Sequence, residues 1–486
     1  MMRIELSKKS LAFGVCILLI TLAISSTINA QFSAVAEIEA KGRVDLFNDK
    51  HTYDLLVIAP KIFSRSLYPL MVHKNRVGIS TRLVILRDIY DQVFLEGRDK
   101  QEKIKYFIKE AIENWGIKYV LLVGGVRQIP ARYCYNSFSH SIFQESRFVS
   151  DLYYADIYDE NGGFSSWDSN NNGIYGEWNG EEAQDKNIDL YPDVYLGRLA
   201  CRNRLEVNVV VNKIITYETS TYGQPWFKNM VVVGGDTYPH INDYCEGEID
   251  TKQALGYMDG FNHIKLWPST VDLTGWKIVK AINEGCGFIY LAGHGNAPFW
   301  VTHPFNESEY IGTFSIYHMP FLTNGKMLPV CIAPGCGNSM FDVNPLNVLH
   351  PEDYWYIRAY GRYYKYIFEC WSWHLTRKIG GGAIATIGST GVGCIREDNM
   401  ADGADAWSYI APRFFWEYGI NGTDVLGEIW GKVIIGYLDN FSINWSTPSM
   451  NASTPEPEPD AVNARTVQQC VLLGDPSLKI GGYNLE

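Results

Sequence analysis

The chain has 486 residues, of which 46% are hydrophobic and 14% are aromatic. This composition excludes a mainly disordered chain, and 10 cysteines are too few for a small disulfide-rich scaffold. The formal net charge of −12 argues against nucleic-acid binding, because such proteins obtain most of their affinity from Lys and Arg on phosphates. We therefore predict no nucleic-acid partner.

The first 30 residues differ from the rest of the chain. A basic start is followed by an apolar run from Leu11 to about Ile24, and small and polar residues then lead to Ala30. This pattern is typical of a cleaved secretory signal, and a retained membrane anchor is the alternative. We predict a signal peptide over 1–30, a secreted protein, and no membrane association after cleavage.

After a short polar lead over 31–50, apolar runs alternate with amphipathic stretches. The predicted strands are Tyr53–Pro60, Ser80–Asp88, Tyr119–Gly125, Met230–Gly235, Phe288–Leu291, Leu328–Ala333, Gly382–Ile387 and Val471–Gly474. The predicted helices are Lys100–Trp115, Leu205–Thr219, Gly247–Met258 and Trp276–Glu284. Strands that alternate with helices favour mostly parallel sheets flanked by helices. We predict two consecutive α/β subdomains, 51–220 and 221–486.

Two predicted strands end in residues that can perform chemistry. A histidine, His294, and a cysteine, Cys336, each follow a strand within a glycine-containing turn. Neighbouring parallel strands would bring both side chains to one edge of the sheet, where an imidazole can activate a thiol. A core-capping histidine and an inert thiol are the alternatives. Cys331 is a rival nucleophile, but its place inside an apolar run favours a structural role.

In their surroundings these residues resemble the gingipain family of secreted cysteine endopeptidases. The matching blocks, in the family's order, are Ser150–Ile157, Pro192–Arg198, Gly293–Gly295 with Phe299–Trp300, Cys336–Phe341 and Gly474–Leu478. The resemblance implies a caspase-like fold and a cysteine endopeptidase that acts on protein or peptide substrates, without an organic cofactor.

The resemblance also implies a role for each matching residue. Cys336 would be the nucleophile and His294 the general base and acid, and the N–H groups of Gly295 and Cys336 would bind the oxyanion. Asp236 matches the family acid that contacts the histidine, with a cap of a loop or helix as the alternative role. Glu248 falls near the acid that recognises a basic side chain in the arginine-specific members. It would pair with Arg or Lys at P1, or else be a solvated residue of the first helical turn.

A separate loop suggests a structural Ca²⁺ ion. Its candidate ligands are the side chains of Asp168, Asn170, Asn172 and Glu177 and the carbonyl of Ile174. Oxygen ligands at positions 1, 3 and 5 and a glycine at position 6 suit a calcium loop, although Asn179 stands where an EF-hand has Glu. A hydrophilic Asn- and Gly-rich loop without an ion is the alternative.

Two further functions are compatible with the same residues. One is a non-catalytic, Ca²⁺-stabilised extracellular binding or adhesion protein, and the intact pair of His294 and Cys336 argues against it. The other is a transpeptidase or ligase, since no sequence feature separates water from an amine as the acceptor. The sequence leaves the natural substrate, the disulfide pattern and the oligomeric state undetermined.

Overall fold

The computed structural model describes residues 46–48, 51–92, 96–136, 145, 147–178, 182–241, 243–345, 367–393, 406–449 and 458–485. Residues 1–50 with 91–93 form one unit, whose regular structure in the described part is a 3-10 turn at Leu46–Asn48. All other residues belong to a second compact unit. Within these ranges no helix is long and apolar enough to cross a membrane. The predicted signal peptide, 1–30, lies outside the described residues.

The described part of the chain contains the following strands and helices. The strands are β1 (Leu55–Ala59), β2 (Thr81–Ile85), β3 (Tyr119–Val123), β4 (Arg132–Cys134), β5 (Phe148–Ser150), β6 (Tyr195–Leu199), β7 (Asn229–Gly234), β8 (Asn262–Leu266), β9 (Phe288–Ala292), β10 (His294–Asn296), β11 (Phe299–Thr302), β12 (Ile311–Ser315), β13 (Val330–Ala333), β14 (Ala385–Ser389) and β15 (Cys470–Leu473). The helices are α1 (Ser64–Arg76), α2 (Leu86–Asp91), α3 (Lys100–Trp115), α4 (Arg204–Ser220), α5 (Glu246–Gly256), α6 (Gly275–Asn283), α7 (Trp371–Thr376), α8 (Ala406–Gly419), α9 (Leu426–Asn440) and α10 (Pro459–Gln469).

The first sheet is parallel, with the strand order β2-β1-β3-β6. Its central strands β1 and β3 are buried at every position, which explains their continuous apolar sequence. Helix α3 occupies the predicted range. The Asp99 side chain accepts a hydrogen bond from the Glu102 N–H at its start, and Gly116 ends it in the left-handed conformation at φ 69°.

The second sheet has the order β15-β14-β13-β9-β7-β8. Its strands are parallel except for β15, which pairs antiparallel to β14. In the register of β13 with β9, Val330 lies beside Phe288 and Ile332 beside Tyr290. The carboxyl ends of β9 and β13 are therefore adjacent, as the sequence interpretation requires. The antiparallel sheet β10-β11-β12 begins directly after β9.

The prediction of an α/β fold with mostly parallel sheets flanked by helices is confirmed. Strand β8 was not predicted, because it is an edge strand with three of its five residues exposed and so lacks an apolar run. Helix α4 connects the two sheets near the proposed boundary at residue 220. The division into two subdomains stays a prediction, since residues from 51 onwards, apart from 91–93, form a single compact unit.

Candidate active site

The turns that follow β9 and β13 meet in one pocket. His294 and Cys336 both line it, and both side chains are half-buried. Each residue follows the carboxyl end of its strand, and the two strands are hydrogen-bonded neighbours. The structure therefore brings together the two residues that the sequence singled out, at the edge where open α/β sheets bind ligands.

The backbones of the two turns are in direct contact. A methyl group on Gly335 would lie 2.5 Å from the Gly295 Cα and 2.7 Å from the Gly295 nitrogen. The buried Asn338 side chain joins the two turns, because its Nδ2 donates to the carbonyls of Asn296 at 2.6 Å and Phe299 at 2.8 Å. This contact places the Gly295 N–H against the nucleophile turn, which is where the predicted oxyanion site would be. The oxyanion role of Gly295 itself stays a prediction.

The hydrogen bond of His294 determines which ring nitrogen carries a proton. Its Nε2 lies 2.7 Å from the Thr237 carbonyl oxygen, which can only accept, so Nε2 must be the protonated nitrogen. In the neutral ring Nδ1 is then the basic nitrogen. The rings of Tyr238 and His303 contact the imidazole edge to face, at centroid distances of 6.1 and 5.3 Å. Burial lowers the pKa of His294, which favours this neutral form.

The surroundings of the Cys336 thiol also favour its neutral form. Burial raises its pKa, and the Gly393 carbonyl, 3.9 Å from Sγ, accepts the S–H. A raised thiol pKa beside a lowered imidazole pKa favours the neutral pair over a thiolate and imidazolium pair. Cys331, the rival nucleophile, is fully buried in β13, and burial raises its pKa well above the usual value. Its position therefore fits the structural role.

The structure gives the Asp236 carboxylate backbone hydrogen-bond partners, and its predicted role as the acid beside His294 stays a prediction. The Asp236 carboxylate accepts hydrogen bonds from the backbone N–H groups of Tyr238 at 3.0 Å and Asn306 at 2.7 Å. The Asp236 carboxylate thus joins its own loop, through Tyr238, to the loop that contains Asn306, while His294 bonds to the Thr237 carbonyl. Asp236 holds the loop that carries this carbonyl, and its charge raises the pKa of His294.

The position of Glu248 differs from the sequence interpretation. Its carboxylate accepts from the backbone N–H of Ser269 at 3.1 Å and from the Ser269 hydroxyl at 2.7 Å. Among the described residues that line the pocket, the acid from α5 is Asp250, and Glu248 is absent from the lining. Asp250 is only 9% exposed and accepts a hydrogen bond from the Ser408 hydroxyl at 2.8 Å.

Helical phase explains this difference. Residues two positions apart on a helix point in nearly opposite directions, so Glu248 and Asp250 cannot share a face. The buried face of α5 contains Asp250 together with Ala254, four residues further on. The sequence carried no clear signal for this choice, because Ile249, the apolar residue between the two acids, is exposed.

The residues of the predicted calcium loop bind groups of the protein itself. Asp168 pairs with Arg98 at 2.7 Å, and its other oxygen accepts the Asn172 N–H at 3.0 Å. The Asn170 side chain also accepts that N–H, and Asn172 Nδ2 donates to Glu177 at 2.8 Å. In the described parts of the chain, no group of three or more His, Cys, Asp or Glu is placed to hold a metal. Such a group does not include the Asn side chains and the backbone carbonyl of the predicted ligand set, so the calcium site stays a prediction.

Three of the sequence blocks that carry the resemblance contact one another. Arg198 forms a buried two-pronged ion pair with Asp151, at 2.5 and 2.7 Å, and donates to the Gly124 carbonyl. Its guanidinium also lies 4.7 Å from the ring of Phe341, in the segment that contains Cys336. These blocks therefore connect the first sheet to the nucleophile segment, and their role is structural.

Comparison with known proteins agrees with this architecture. A family model, Peptidase family C25, matches residues 48–481. The chain belongs to peptidase family C25. Gingipain R2 and gingipain R1 of Porphyromonas gingivalis are each 22% identical to this C25 member, over 61% and 62% of its length. The chain spans only 34% and 25% of these two relatives.

Solved structures show that the fold is shared. The crystal structure of the Arg-specific cysteine proteinase gingipain R superposes with a TM-score of 0.56 at 18% identity, covering 89% of this chain and 79% of that chain. The complex of the Porphyromonas gingivalis RgpB pro- and mature domains gives a TM-score of 0.58 at 18% identity, covering 88% and 79%. The predicted gingipain-type, caspase-like α/β fold is confirmed, and family membership supports a cysteine peptidase.

Proposed function

We propose that this C25 member hydrolyses peptide bonds, with Cys336 as nucleophile and His294 as general base and acid. The observation that carries the proposal is the shared pocket, in which His294 binds the Thr237 carbonyl through Nε2 and so keeps Nδ1 basic. Histidine held by one nitrogen and active at the other is a recurrent arrangement in nucleophilic catalysis.

The reaction then follows from these groups. As Cys336 Sγ attacks the scissile carbonyl carbon, its proton passes to His294 Nδ1, and the N–H groups of Gly295 and Cys336 bind the oxyanion. The C–N bond breaks when Nδ1 returns the proton to the departing amine, which leaves a thioester. Water, deprotonated by the same nitrogen, cleaves the thioester and restores the thiol.

We further propose that the pocket accepts a basic P1 side chain and that Asp250 is its acid. Tyr290, Ala292 and Trp407 line the same pocket and would contact the apolar stem of Arg or Lys. A carboxylate that is 9% exposed would pair with the cationic end more strongly than a solvated acid would.

Covalent probes test both parts of the proposal. We expect an acyloxymethyl ketone that carries Arg to label the wild-type protein and the Glu248→Gln variant, and to leave Cys336→Ala unlabelled. The Arg probe should label Asp250→Asn more slowly than the wild type, whereas a norleucine probe should label both at the same rate. Labelling of Cys336→Ala would contradict the assigned nucleophile. Folded protein that reacts with no probe would favour the binding-protein alternative, and a loss of Arg labelling in Glu248→Gln would contradict the role of Asp250.

Export is a separate proposal, based on the pattern of residues 1–30. The basic start, apolar run and small residues before Gln31 support cleavage after Ala30. N-terminal sequencing of the protein recovered outside producing cells should begin at Gln31. Recovery of the full chain in the membrane fraction would indicate the retained anchor.

A further inference from the structure

A turn of three residues, Gly391–Gly393, lies directly against the nucleophile turn. The Gly393 carbonyl receives the Cys336 thiol at 3.9 Å, and the Gly391 carbonyl accepts the Gly337 N–H at 2.9 Å. The position of the sulfur therefore depends on the position of this turn, which follows β14.

The opposite side of the turn is held by a buried ion pair between Glu145 and Arg465. Glu145 Oε2 accepts the Val392 N–H at 2.9 Å, and Arg465 Nε donates to the Val392 carbonyl at 3.3 Å. Arg465 Nη2 pairs with the same Glu145 oxygen, and each side chain is only 3% exposed. A methyl group on Gly391 would lie 2.6 Å from that oxygen. The turn is thus enclosed between the ion pair and Cys336.

The two charged residues come from distant parts of the chain. Glu145 lies between β4 and β5, and Arg465 lies on α10, where Nη1 also donates to the Asn136 carbonyl. Burying two charges costs several kcal/mol per ion before pairing, so a buried ion pair is a weak source of stability. This pair contacts both the N–H and the carbonyl of Val392. A role in positioning the turn explains these contacts better than a contribution to stability does.

We propose that Glu145 and Arg465 act as a positioning pair for Cys336, holding the Gly391–Gly393 turn whose carbonyl receives the thiol. The inference rests on the proposed function, because it concerns the nucleophile of that reaction. Neither side chain needs to touch the substrate. Their effect passes through the backbone of residues 391–393 and through their charges.

The charges of the pair act on the thiol in opposite directions. Glu145 raises the pKa of Cys336, whereas Arg465 lowers it. Asp342, in the nucleophile segment, raises the pKa of Glu145, and His294 lines the same pocket as Cys336. A residue that only stabilises the fold would not shift the thiol pKa with a sign that follows its own charge.

The test measures the rate at which iodoacetamide alkylates Cys336 as a function of pH, in the full chain, by mass spectrometry of the peptide that contains it. Glu145→Gln should lower the apparent thiol pKa and Arg465→Met should raise it. Both variants should lower kcat by about tenfold or more, with a smaller change in KM. Arg465→Lys keeps the charge and should recover part of kcat.

The matched control is Glu218→Gln, which breaks another fully buried ion pair, with Lys74, between α4 and α1. It should lower stability without shifting the Cys336 pKa. Shifts of the same sign in Glu145→Gln and Arg465→Met, or wild-type values of both pKa and kcat, would overturn the inference. If Arg465→Met does not fold, Arg465→Lys and Glu145→Gln decide the question. Peptidase activity that survives Cys336→Ala would instead overturn the proposed function.

Discussion

Substitution of Asp236 separates an indirect role from direct contact with the histidine. Its carboxylate accepts two backbone N–H groups, those of Tyr238 and Asn306, and the residue between Asp236 and Tyr238 is Thr237, whose carbonyl binds His294. In Asp236→Asn, the remaining oxygen can still accept one of the two hydrogen bonds. The new NH₂ group lies opposite the other backbone N–H, and two donors cannot form a hydrogen bond. Asp236→Glu keeps the charge and moves the carboxylate outward by one methylene.

The structure sets the size of the expected effect. A hydrogen bond to a charged group contributes about 1.5–3 kcal/mol, and Asp236→Asn loses one of two such bonds. If this free energy is lost from the placement of the Thr237 carbonyl, kcat falls by about 10- to 150-fold. We expect kcat of Asp236→Glu to fall by a similar factor, because the displaced carboxylate oxygens no longer match the positions of the two N–H groups.

Steady-state kinetics on a peptide amide substrate, with the substrate chosen from the probe that labels best, measures kcat and KM separately. Glu248→Gln is the matched control, since Glu248 also accepts a backbone N–H and a second donor but does not line the pocket. It should keep the wild-type kcat. Wild-type or higher kcat in Asp236→Glu, with loss in Asp236→Asn, would refute the indirect role and restore direct acid assistance.

Three further substitutions test the site and its surroundings. In Gly295→Ala the methyl group would lie 2.1 Å from Asn338 Oδ1, so kcat/KM should fall by about 100-fold in a peptidase assay. Although burial opposes it, hydrogen bonds from Arg377 lower the pKa of Glu369 from 4.5 to about 2. This lowered pKa corresponds to about 3 kcal/mol of stability, present above about pH 4.5 and lost as the pH falls towards 2. Denaturation of Glu369→Gln should therefore show this loss of stability above pH 4.5 and little difference from the wild type near pH 2. If the calcium prediction is right, Ca²⁺ should raise the unfolding temperature of the wild type but not of Asp168→Asn.

Each of these tests has a control. Gly256→Ala places a methyl group where nothing lies within 4 Å, so it should keep its activity, and equal losses at both glycines would contradict the contact argument. Glu113→Gln removes an exposed ion pair with Lys109 and should cost far less than Glu369→Gln. In the calcium test, the control is Mg²⁺ added in place of Ca²⁺. An unfolding temperature of the wild type that does not change with Ca²⁺ would contradict the calcium prediction.

The sequence predicted the parts of the fold that have strong local signals. Helix α3 has an N-cap, a regular apolar spacing and a terminal glycine, and the structure gives it the predicted range. The buried strands β1, β3 and β9 have continuous apolar runs. Short or polar elements such as β8 and the six-residue α7 carry no such local signal. Contacts with neighbouring elements, rather than their own sequence, stabilise them.

What the sequence determined by itself was the class of fold, the family blocks, and the pair of His294 and Cys336, because both residues follow recognisable buried strands. Only the tertiary structure decided which groups surround that pair. Thr237 acts through a backbone carbonyl, which every residue has, and Asp250 differs from Glu248 only in helical phase. Arg465 contacts the Gly391–Gly393 turn from 73 residues away in sequence. Such relations depend on how strands and helices pack in three dimensions, and local sequence patterns do not encode them.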